Sequence, residues 1–569
     1  MSQEDLHAMS DAAPNPVRAT VAEVIAAFIE QCQVHTVFGV ISIHNMPMLD
    51  AIHRRGRIRY VGARGEAGAV NMADGHARVS GGLGVVFTST GTAAGNAAGA
   101  LVEALTAGTP LLHLTGQIET PFLDRDLAYI HEAPAQLAML QAVSKAAYRV
   151  ASASTALAVV REAVRVALTA PAGPVSVELP IDIQATEIDW PVDIAPAPVR
   201  TWPVDNDRVL QLAERLVKAR RPLLWLGGGS RAAGEAVGRL LALGFGVVTS
   251  VQGRGVVAED HTQSLGAFNV HPAVERFYQT CDALLVVGSR LRGNETLTYR
   301  LALPTPLYRI DANPLADQRG YPNALFLQGD ASAVLHQLAD ALQGRLRIDP
   351  DFLPALAAAR AEAEAGVQAG LGPYAGLVTS LRRHAGSDFN WVRDVTISNS
   401  TWGNRLLPLH QPRAGVHALG GGIGQGMPMA IGAALAGTAA RTWCLVGDGG
   451  LMLNVGELAT AVQERADVVI LLMNDQAYGV IRNIQDAVYG GRHAYVELQQ
   501  PDFGQLCRSL GLPWHRIDAI EQADAVFQAA LVEKGPVLIE VDMCGIGDFS
   551  VAFAGPPVKP AVVSEPTDE

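Results

Sequence analysis

Cys444-Leu445-Val446-Gly447-Asp448-Gly449-Gly450, followed by Val468-Val469-Ile470-Leu471-Leu472-Met473-Asn474-Asp475, decides how the chain is read. CLV is a short apolar run ended by glycines, and VVILLMN is apolar throughout. Both read as strands buried on two faces, as in a parallel sheet. The glycines permit a tight turn whose N–H groups can face an anion. Asp448 then stands at a carboxyl strand end, the edge at which open α/β sheets bind ligands. The second strand delivers Asn474 and Asp475 to the same edge. A carboxylate on one strand end and a carboxylate or amide oxygen on its neighbour suit a hard cation such as Mg²⁺, which keeps a water and completes its shell with a diphosphate. A lone Gly-Asp-Gly would be only a tight turn. The second half, at a strand end of its own, makes it a metal–diphosphate site.

Outward from that stretch the same alternation of strand-like runs and helical segments covers the chain. A first block holds TVFGVI (36–41), LGVVFT (83–88), PLLHLT (110–115) and VSVEL (175–179), with an Ala-rich helical stretch at 93–107. The Pro-rich segment 189–204 reads as an extended linker. A second block holds PLLWLGGG (222–229), GVVTS (246–250), ALLVVGS (283–289) and PLYRID (306–311), and an Ala/Glu-rich, helical connector follows. The third block holds TISNS (396–400), CLVGD (444–448), VVILLMN (468–474) and PVLIEV (536–541). Residues 560–569 read as a frayed tail. Gly173-Pro174 opens the last strand of the first block as Gly535-Pro536 opens that of the third, so the outer units are expected to be related and the middle one different. The expected fold class is α/β, with three doubly wound parallel-sheet domains at 1–188, 205–345 and 372–555, joined by 189–204 and 346–371.

At 569 residues the chain allows three or four domains. It is 49% hydrophobic and only 17% charged, which suits a globular chain with much surface buried between domains or subunits. A net charge of −13 disfavours nucleic acid and anionic membranes, so an anionic ligand must be held locally by backbone N–H groups, a metal or a few placed cations. The cysteines at 32, 281, 444, 507 and 544 form no CxxC pair and read as free thiols in a reducing compartment. Residues 1–18 carry acids and no apolar core, and no apolar run reaches ~18 residues, so neither a secretory signal nor a span is expected. A cytoplasmic location follows as an expectation.

The two strand ends, with Tyr478-Gly479 closing the second, resemble the thiamin-diphosphate motif. The chain is similar more narrowly to the acetolactate synthase, benzoylformate decarboxylase and pyruvate decarboxylase superfamily. The likeness runs through VFGVISIHNMPMLDAI (37–52), RGEAGAVNMADGHARVSG (64–81), STGTAAGNAAGALVEAL (89–105), LTGQ (114–117), GGGIGQGMPMAIGAAL (420–435) and YGVIRNIQDAVYGGR (478–492). It implies pyrimidine-binding, middle and diphosphate-binding domains, thiamin diphosphate and Mg²⁺ as cofactors, and a homodimer or homotetramer whose sites form between subunits.

The resemblance also assigns roles. Glu66 is the acid that works the proton shuttle of the aminopyrimidine, in a small, apolar stretch that would raise its pKa. Ile423 is the bulky side chain beneath the bent cofactor, and Gly421 offers its carbonyl to the cofactor's amino group. Asp448 is a metal ligand. The next ligand position falls on Asp475, where Asn is usual in the family, with Asn474 before it as the alternative and Ala477 contributing a carbonyl. Gly447, Gly449, Gly450, Ser398, Ser400, Tyr478, Gly479 and Val480 complete the cofactor set.

The reaction is less determined. Where pyruvate decarboxylases carry paired histidines and benzoylformate decarboxylases a histidine, this chain has Ser89-Thr90. Ile41-Ser42 replace the usual Pro-Gly, and Ile43 stands where an Asp or Ser is common. A dry pocket lacking these acids and bases delays protonation of the C2-carbanion (enamine) and favours a carbonyl acceptor, hence carboligation of a 2-oxoacid or related carbonyl compound in the manner of acetolactate synthase. Alternatives are a benzoylformate-type 2-oxoacid decarboxylase, a 2-hydroxyacyl-CoA lyase or oxalyl-CoA decarboxylase-like enzyme, and a catalytically silent homologue. Ile43, His44, Ser89, Gln117, His131 and Ile484 are the substrate-pocket candidates, with Glu132 beside them. Ile484 replaces the Trp that favours 2-oxobutyrate. LGGGSR (226–231) is the middle domain's one Gly-rich turn, so no FAD is expected. Arg290 and Arg292, just after the ALLVVGS strand, read first as partners in surface salt bridges, with contact to a substrate carboxylate or a nucleotide phosphate as the alternative.

Overall fold

Runs that are apolar on both faces pair into three parallel sheets in the computed structural model, which describes residues 17–551, 553 and 555. The tail expected at 560–569 lies outside the described residues. The first sheet runs Arg59–Gly62, Thr36–Gly39, Gly84–Thr88, Leu111–Gln117, Pro174–Pro180, Ala146–Arg149. The third runs Gly415–His417, Phe389–Arg393, Arg441–Gly447, Val468–Asn474, Val537–Asp542, Trp514–Ile517. Numbered along the chain, both have the order 2-1-3-4-6-5, and the strands introduced by Gly173-Pro174 and Gly535-Pro536 take the same place in each. The echo expected between the outer units is therefore a shared topology. The middle sheet, Gly246–Thr249, Pro222–Leu226, Ala283–Val287, Leu307–Asp311, Leu325–Gln328, has the five-stranded order 2-1-3-4-5. A short antiparallel pair, Arg18–Thr20 with Glu187–Asp189, closes the first unit.

TISNS (396–400) is not the strand expected of it. The strand is Phe389–Arg393, buried at every residue, and Asn399–Gly403 is a π-helical turn beyond its carboxyl end. β-branched Thr396 and Ile397 suggested extension, but the register with Arg441–Gly447 places FNWVR in the sheet.

Each sheet is covered by helices on both faces, and the outer units meet through one of them. Helix Glu66–Ser80 crosses helix Gly426–Leu435 at backbone contact: a β-carbon on Gly75 would strike the Met429 carbonyl, and one on Gly432 the Met72 carbonyl. Only glycine at both positions permits that approach. The apolar core of this contact is continuous, with Met72, Ala73, Met429 and Ala433 in one buried cluster. The Ala/Glu-rich connector forms helix Phe352–Ala369, whose Phe352 and Leu356 pack into the core shared by the second and third units. Among the described residues no helix is long and apolar enough to cross a membrane.

The order reverses between the first and third strands of each unit, so the carboxyl ends of Thr36–Gly39 with Gly84–Thr88, and of Phe389–Arg393 with Arg441–Gly447, open crevices. Every segment the sequence marks for chemistry in the outer units leaves one of these edges or the strand beside it.

Candidate active site

Asp448 follows directly on strand Arg441–Gly447 and opens helix Asp448–Leu453, with 1% of its surface exposed. Its Oδ2 accepts from Gln500 Nε2 at 2.9 Å, while its Oδ1 is buried without a partner. The neighbouring strand ends at Asn474, and the Asp475 carboxyl lies against that of Asp448. Burial, and then the facing Asp475 charge, push the Asp448 carboxyl well above the usual carboxylate range; burial also raises that of Asp475. A buried carboxyl group with an orphaned oxygen, raised by a second carboxyl group that faces it, makes with that partner a donor set that fits a hard divalent cation. Asn474 points elsewhere: its Nδ2 donates to Glu540 Oε1 at 2.9 Å, and its Oδ1 accepts from Gln476 N at 3.2 Å. Of the two candidates, Asp475 is the one that faces Asp448. The amide of Asn474 is engaged within the sheet.

Glycines make this arrangement possible. A β-carbon on Gly479 would collide with Asp475 Oδ2, and one on Gly449 would lie 2.6 Å from Tyr478 Cε1. The Asp475–Tyr478 turn is pinned by Tyr478 N donating to Val496 O and Leu498 N to Gln476 O, each at 2.8 Å, with Ala477 bridged to Glu497. Val480 and Ile484 lie half-buried on helix Gly479–Tyr489, which leaves Ile481, Val488 and Tyr489 exposed. On the adjoining strand end Ser398 is buried with its Oγ unpartnered, and Ser400 is half-buried in the same turn.

Sequence reasoning passed over Asp394. It follows Phe389–Arg393, is fully buried, and accepts from Gly424 N and Val395 N at 2.8 Å each. Burial pushes its carboxyl up to about 7. It thereby holds the loop that presents Gly421 and Ile423, where Gly421 and Gly424 have φ of 82° and 84°. An acid immediately after a central strand was the available signal.

The first sheet supplies a second edge. Glu66 is the first residue of helix Glu66–Ser80, and its Oε2 accepts from Asn96 Nδ2 at 3.1 Å. His44 is buried beside His131, ring centroids 5.1 Å apart and edge-on, with His44 Nδ1 unpartnered. Burial, then the His131 ring, holds the His44 imidazole below its usual range. Gly116 and Gly91 give way to the His44 and His131 carbonyls. Ser89 is buried with a free Oγ, whereas Ile43 is 65% exposed. Gln117 is engaged inside the protein: its Oε1 accepts from Thr90 Oγ1 and Ile118 N at 2.8 Å, and its Nε2 reaches Glu178 at 3.4 Å. Glu132 accepts from Tyr129 N and keeps its other oxygen unpartnered.

A cavity of about 360 Å³ opens at the switch point of the middle sheet and reaches the first unit. Gly228, Gly288, Asp311 and five arginines, at 231, 290, 292, 319 and 413, line it with Arg78. Arg290 and Arg292 are not the surface salt bridges expected: both donate to the Thr106 carbonyl, at 3.1 and 2.6 Å. Burial and the neighbouring arginines push Arg231 down to about 9. This cationic cleft is assembled from residues far apart in the chain, and its only signals in the sequence were LGGGSR and the pair Arg290 and Arg292.

Family models described as thiamine pyrophosphate enzyme N-terminal TPP binding domain, central domain and C-terminal TPP binding domain match residues 19–142, 209–338 and 396–541. A probable 2-ketoarginine decarboxylase, AruI, of Pseudomonas aeruginosa is 31% identical over 530 residues, 92% of this chain and 94% of that protein. The acetolactate synthase isozyme 1 large subunit of Escherichia coli is 27% identical over 92% of this chain and 94% of its own length. The isozyme 2 large subunit is 29% identical over 90% and 93%.

Proposed function

The chain belongs to the thiamine pyrophosphate enzyme family, and from that membership we propose that it joins a 2-oxoacid-derived fragment to a second carbonyl compound. It is a thiamin-diphosphate-dependent enzyme acting on C–C bonds. The observation that carries the cofactor reading is the facing pair Asp448–Asp475, with Asp448 Oδ1 buried and unpartnered. Mg²⁺ would be held by these two carboxylates and the Ala477 carbonyl. The diphosphate would take the N–H groups of Gly449 and Gly450 and the free Ser398 hydroxyl, with Ser400, Gly447, Tyr478, Gly479 and Val480 around it. Thiamin diphosphate, when bound, supplies a carbon nucleophile and an electron sink beside the reacting carbonyl.

The chain's own residues then have distinct tasks. Glu66 holds and returns a proton at the pyrimidine ring nitrogen. Ile423 and Gly421 support the cofactor from the loop tied down by Asp394. His44, kept neutral by burial, offers no ready proton near pH 7, and Ile43 and Ser89 add no acid, which supports ligation over simple aldehyde release. Glu66 and the Gly421–Ile423 loop would meet across a subunit boundary. Exposed Ile41, Ile43 and Met46 on the first edge and Leu453 and Ile481 on the third support a homodimer, paired into a tetramer. The domain limits 1–188, 205–345 and 372–555 and a location in the reducing cytoplasm belong to the same reading.

The test is to mix holoenzyme with a panel of 2-oxoacids, including pyruvate and 2-ketoarginine, with and without aldehyde acceptors, and to identify products by mass. Ligated hydroxyketone is expected; rapid aldehyde release alone would refute ligation. The arginine-lined cleft favours one second reading, a substrate carrying a nucleotide, as in a 2-hydroxyacyl-CoA lyase. Retention on immobilised ADP or CoA, without retention of flavin, would support it.

A further inference from the structure

Two buried carboxylates cross between the outer units, and each grips backbone N–H groups of a turn belonging to the other. Glu457, 1% exposed, accepts from Arg64 N and from Gly65 N through Oε1, at 3.0 Å each, while its Oε2 accepts from Thr460 Oγ1 at 2.6 Å. Arg64 and Gly65 lead directly into Glu66. Gly65 stands at the N-cap of helix Glu66–Ser80 without a side-chain cap, and Glu457 holds the backbone of the turn that enters the helix, at Arg64 and Gly65, from another domain, with its carboxylate at the helix's positive end. The fit is close: a β-carbon on Gly68 would strike the Glu457 carboxylate.

The opposite crossing is made by Glu103, also 1% exposed. Its Oε1 accepts from Leu419 N at 2.8 Å and its Oε2 from Gly420 N at 2.5 Å. Arg78 holds this carboxylate at 2.7 Å, is itself paired to Asp74 at 2.5 Å, and donates to the His417 carbonyl at 2.7 Å. Leu419 and Gly420 lead directly into Gly421 and Ile423. Gly420 leaves no room for a β-carbon, which would meet Glu103 Oε2 at 2.8 Å.

We propose that Glu457 and Glu103 are reciprocal positioning residues, Glu457 fixing the backbone from which Glu66 projects and Glu103 fixing the backbone that presents Gly421 and Ile423. The proposal rests on the cofactor reading given above. If an active site draws Glu66 from one chain and the Gly421–Ile423 loop from another, the two clamps of a single chain serve two different sites.

The hydrogen-bond inventory separates the two residues. Glutamine at 457 can still accept both N–H groups on its oxygen at 3.0 Å, giving up only the longer contact from Arg64 N to Oε2 at 3.2 Å and turning the Thr460 hydroxyl from donor to acceptor. Glutamine at 103 must turn an NH₂ group toward Gly420 N–H or toward the Arg78 guanidinium, donor against donor.

The experiment follows exchange of the cofactor C2 proton with deuterium in holoenzyme, with kcat, KM and thiamin diphosphate affinity measured alongside. Displacement of the Glu66 turn should slow exchange and lower kcat by about tenfold or more in Glu457→Ala, with KM within about twofold, while Glu457→Gln stays near wild type. Glu103→Gln should weaken thiamin diphosphate binding by about tenfold. Wild-type exchange in Glu457→Ala, exchange as slow in Glu457→Gln as in Glu457→Ala, or unchanged cofactor affinity in Glu103→Gln would overturn the proposal. If Glu457→Ala does not fold, Glu457→Asp replaces it, retaining charge but losing reach, with the same two outcomes. Wild-type protein that binds no thiamin diphosphate would instead overturn the cofactor reading.

Discussion

Replacing Asp475 by Asn tests the charge logic of the proposed metal site. In metal-free protein the buried Asp448 carboxyl stands at about 7 against an ordinary 3.8, with burial the larger cause and the Asp475 charge the next. Between those values the folded chain binds more protons than the unfolded one, so stability falls as the pH rises from about 4 to about 7. Two unit charges ~4 Å apart repel by about 4 kcal/mol at an effective dielectric near 20. Because burial is the larger cause of the rise, the Asp475 charge accounts for the smaller share, and Asp475→Asn should recover on the order of 1–2 kcal/mol in the metal-free protein near pH 8, where Asp448 is largely ionised. The same substitution removes one of two anionic ligands, so Mg²⁺ affinity should fall about tenfold. Activity at saturating Mg²⁺ should survive, because an amide oxygen can still serve as a ligand. Denaturant melts of EDTA-treated protein across this pH range, followed by Mg²⁺ titration with thiamin diphosphate, measure both effects. An unchanged pH slope together with unchanged Mg²⁺ affinity would show that the two carboxylates do not act as a pair.

Three further outcomes are expected. Glu66→Gln should retain fold and thiamin diphosphate affinity while kcat falls by about 10²–10⁴-fold, as read by steady-state assay and calorimetric titration. Gly432→Ala places a methyl group against the Met72 carbonyl and should destabilise the protein by about 1–3 kcal/mol, as read by denaturant melts, with Gly75→Ala behaving alike. Because His44 is held below its ordinary pKa of about 6.5, it gains its proton only at pH below that value, so the fraction of substrate released as aldehyde should stay flat at neutral and alkaline pH and rise only in acid. Product analysis across pH checks this, and His44→Phe should abolish the rise.

Central strands were legible because both faces are covered: VVILLMN and CLVG are apolar without alternation, and the structure buries nearly all of them. Arg59–Gly62, Ala146–Arg149 and Trp514–Ile517 were not legible, since each is an edge strand with half-exposed residues and little apolar signal. The site divided in the same way. Asp448 and Asp475 announce themselves by position at strand ends, and the likeness to a known family supplied Glu66 and Ile423. What Glu103 and Glu457 touch could not be read. The backbone N–H groups they hold lie more than 300 residues away, and a glutamate inside an Ala-rich helical stretch looks the same whether solvated or buried. TISNS failed because local β-propensity was outweighed by the register of its neighbours.

The glycine-on-glycine crossing of helices Glu66–Ser80 and Gly426–Leu435 bears on how this protein can be recombined. Each helix is shaped by the backbone of the other, so neither outer unit carries a self-sufficient surface there. A chimera that imports one outer unit from a relative inherits only half of a matched joint, whereas exchanging both helices together preserves it. The middle unit is no freer: it shares a buried core with the third, and a β-carbon on Gly255 would strike the Gln411 carbonyl, so it too must be exchanged together with the surface it fits.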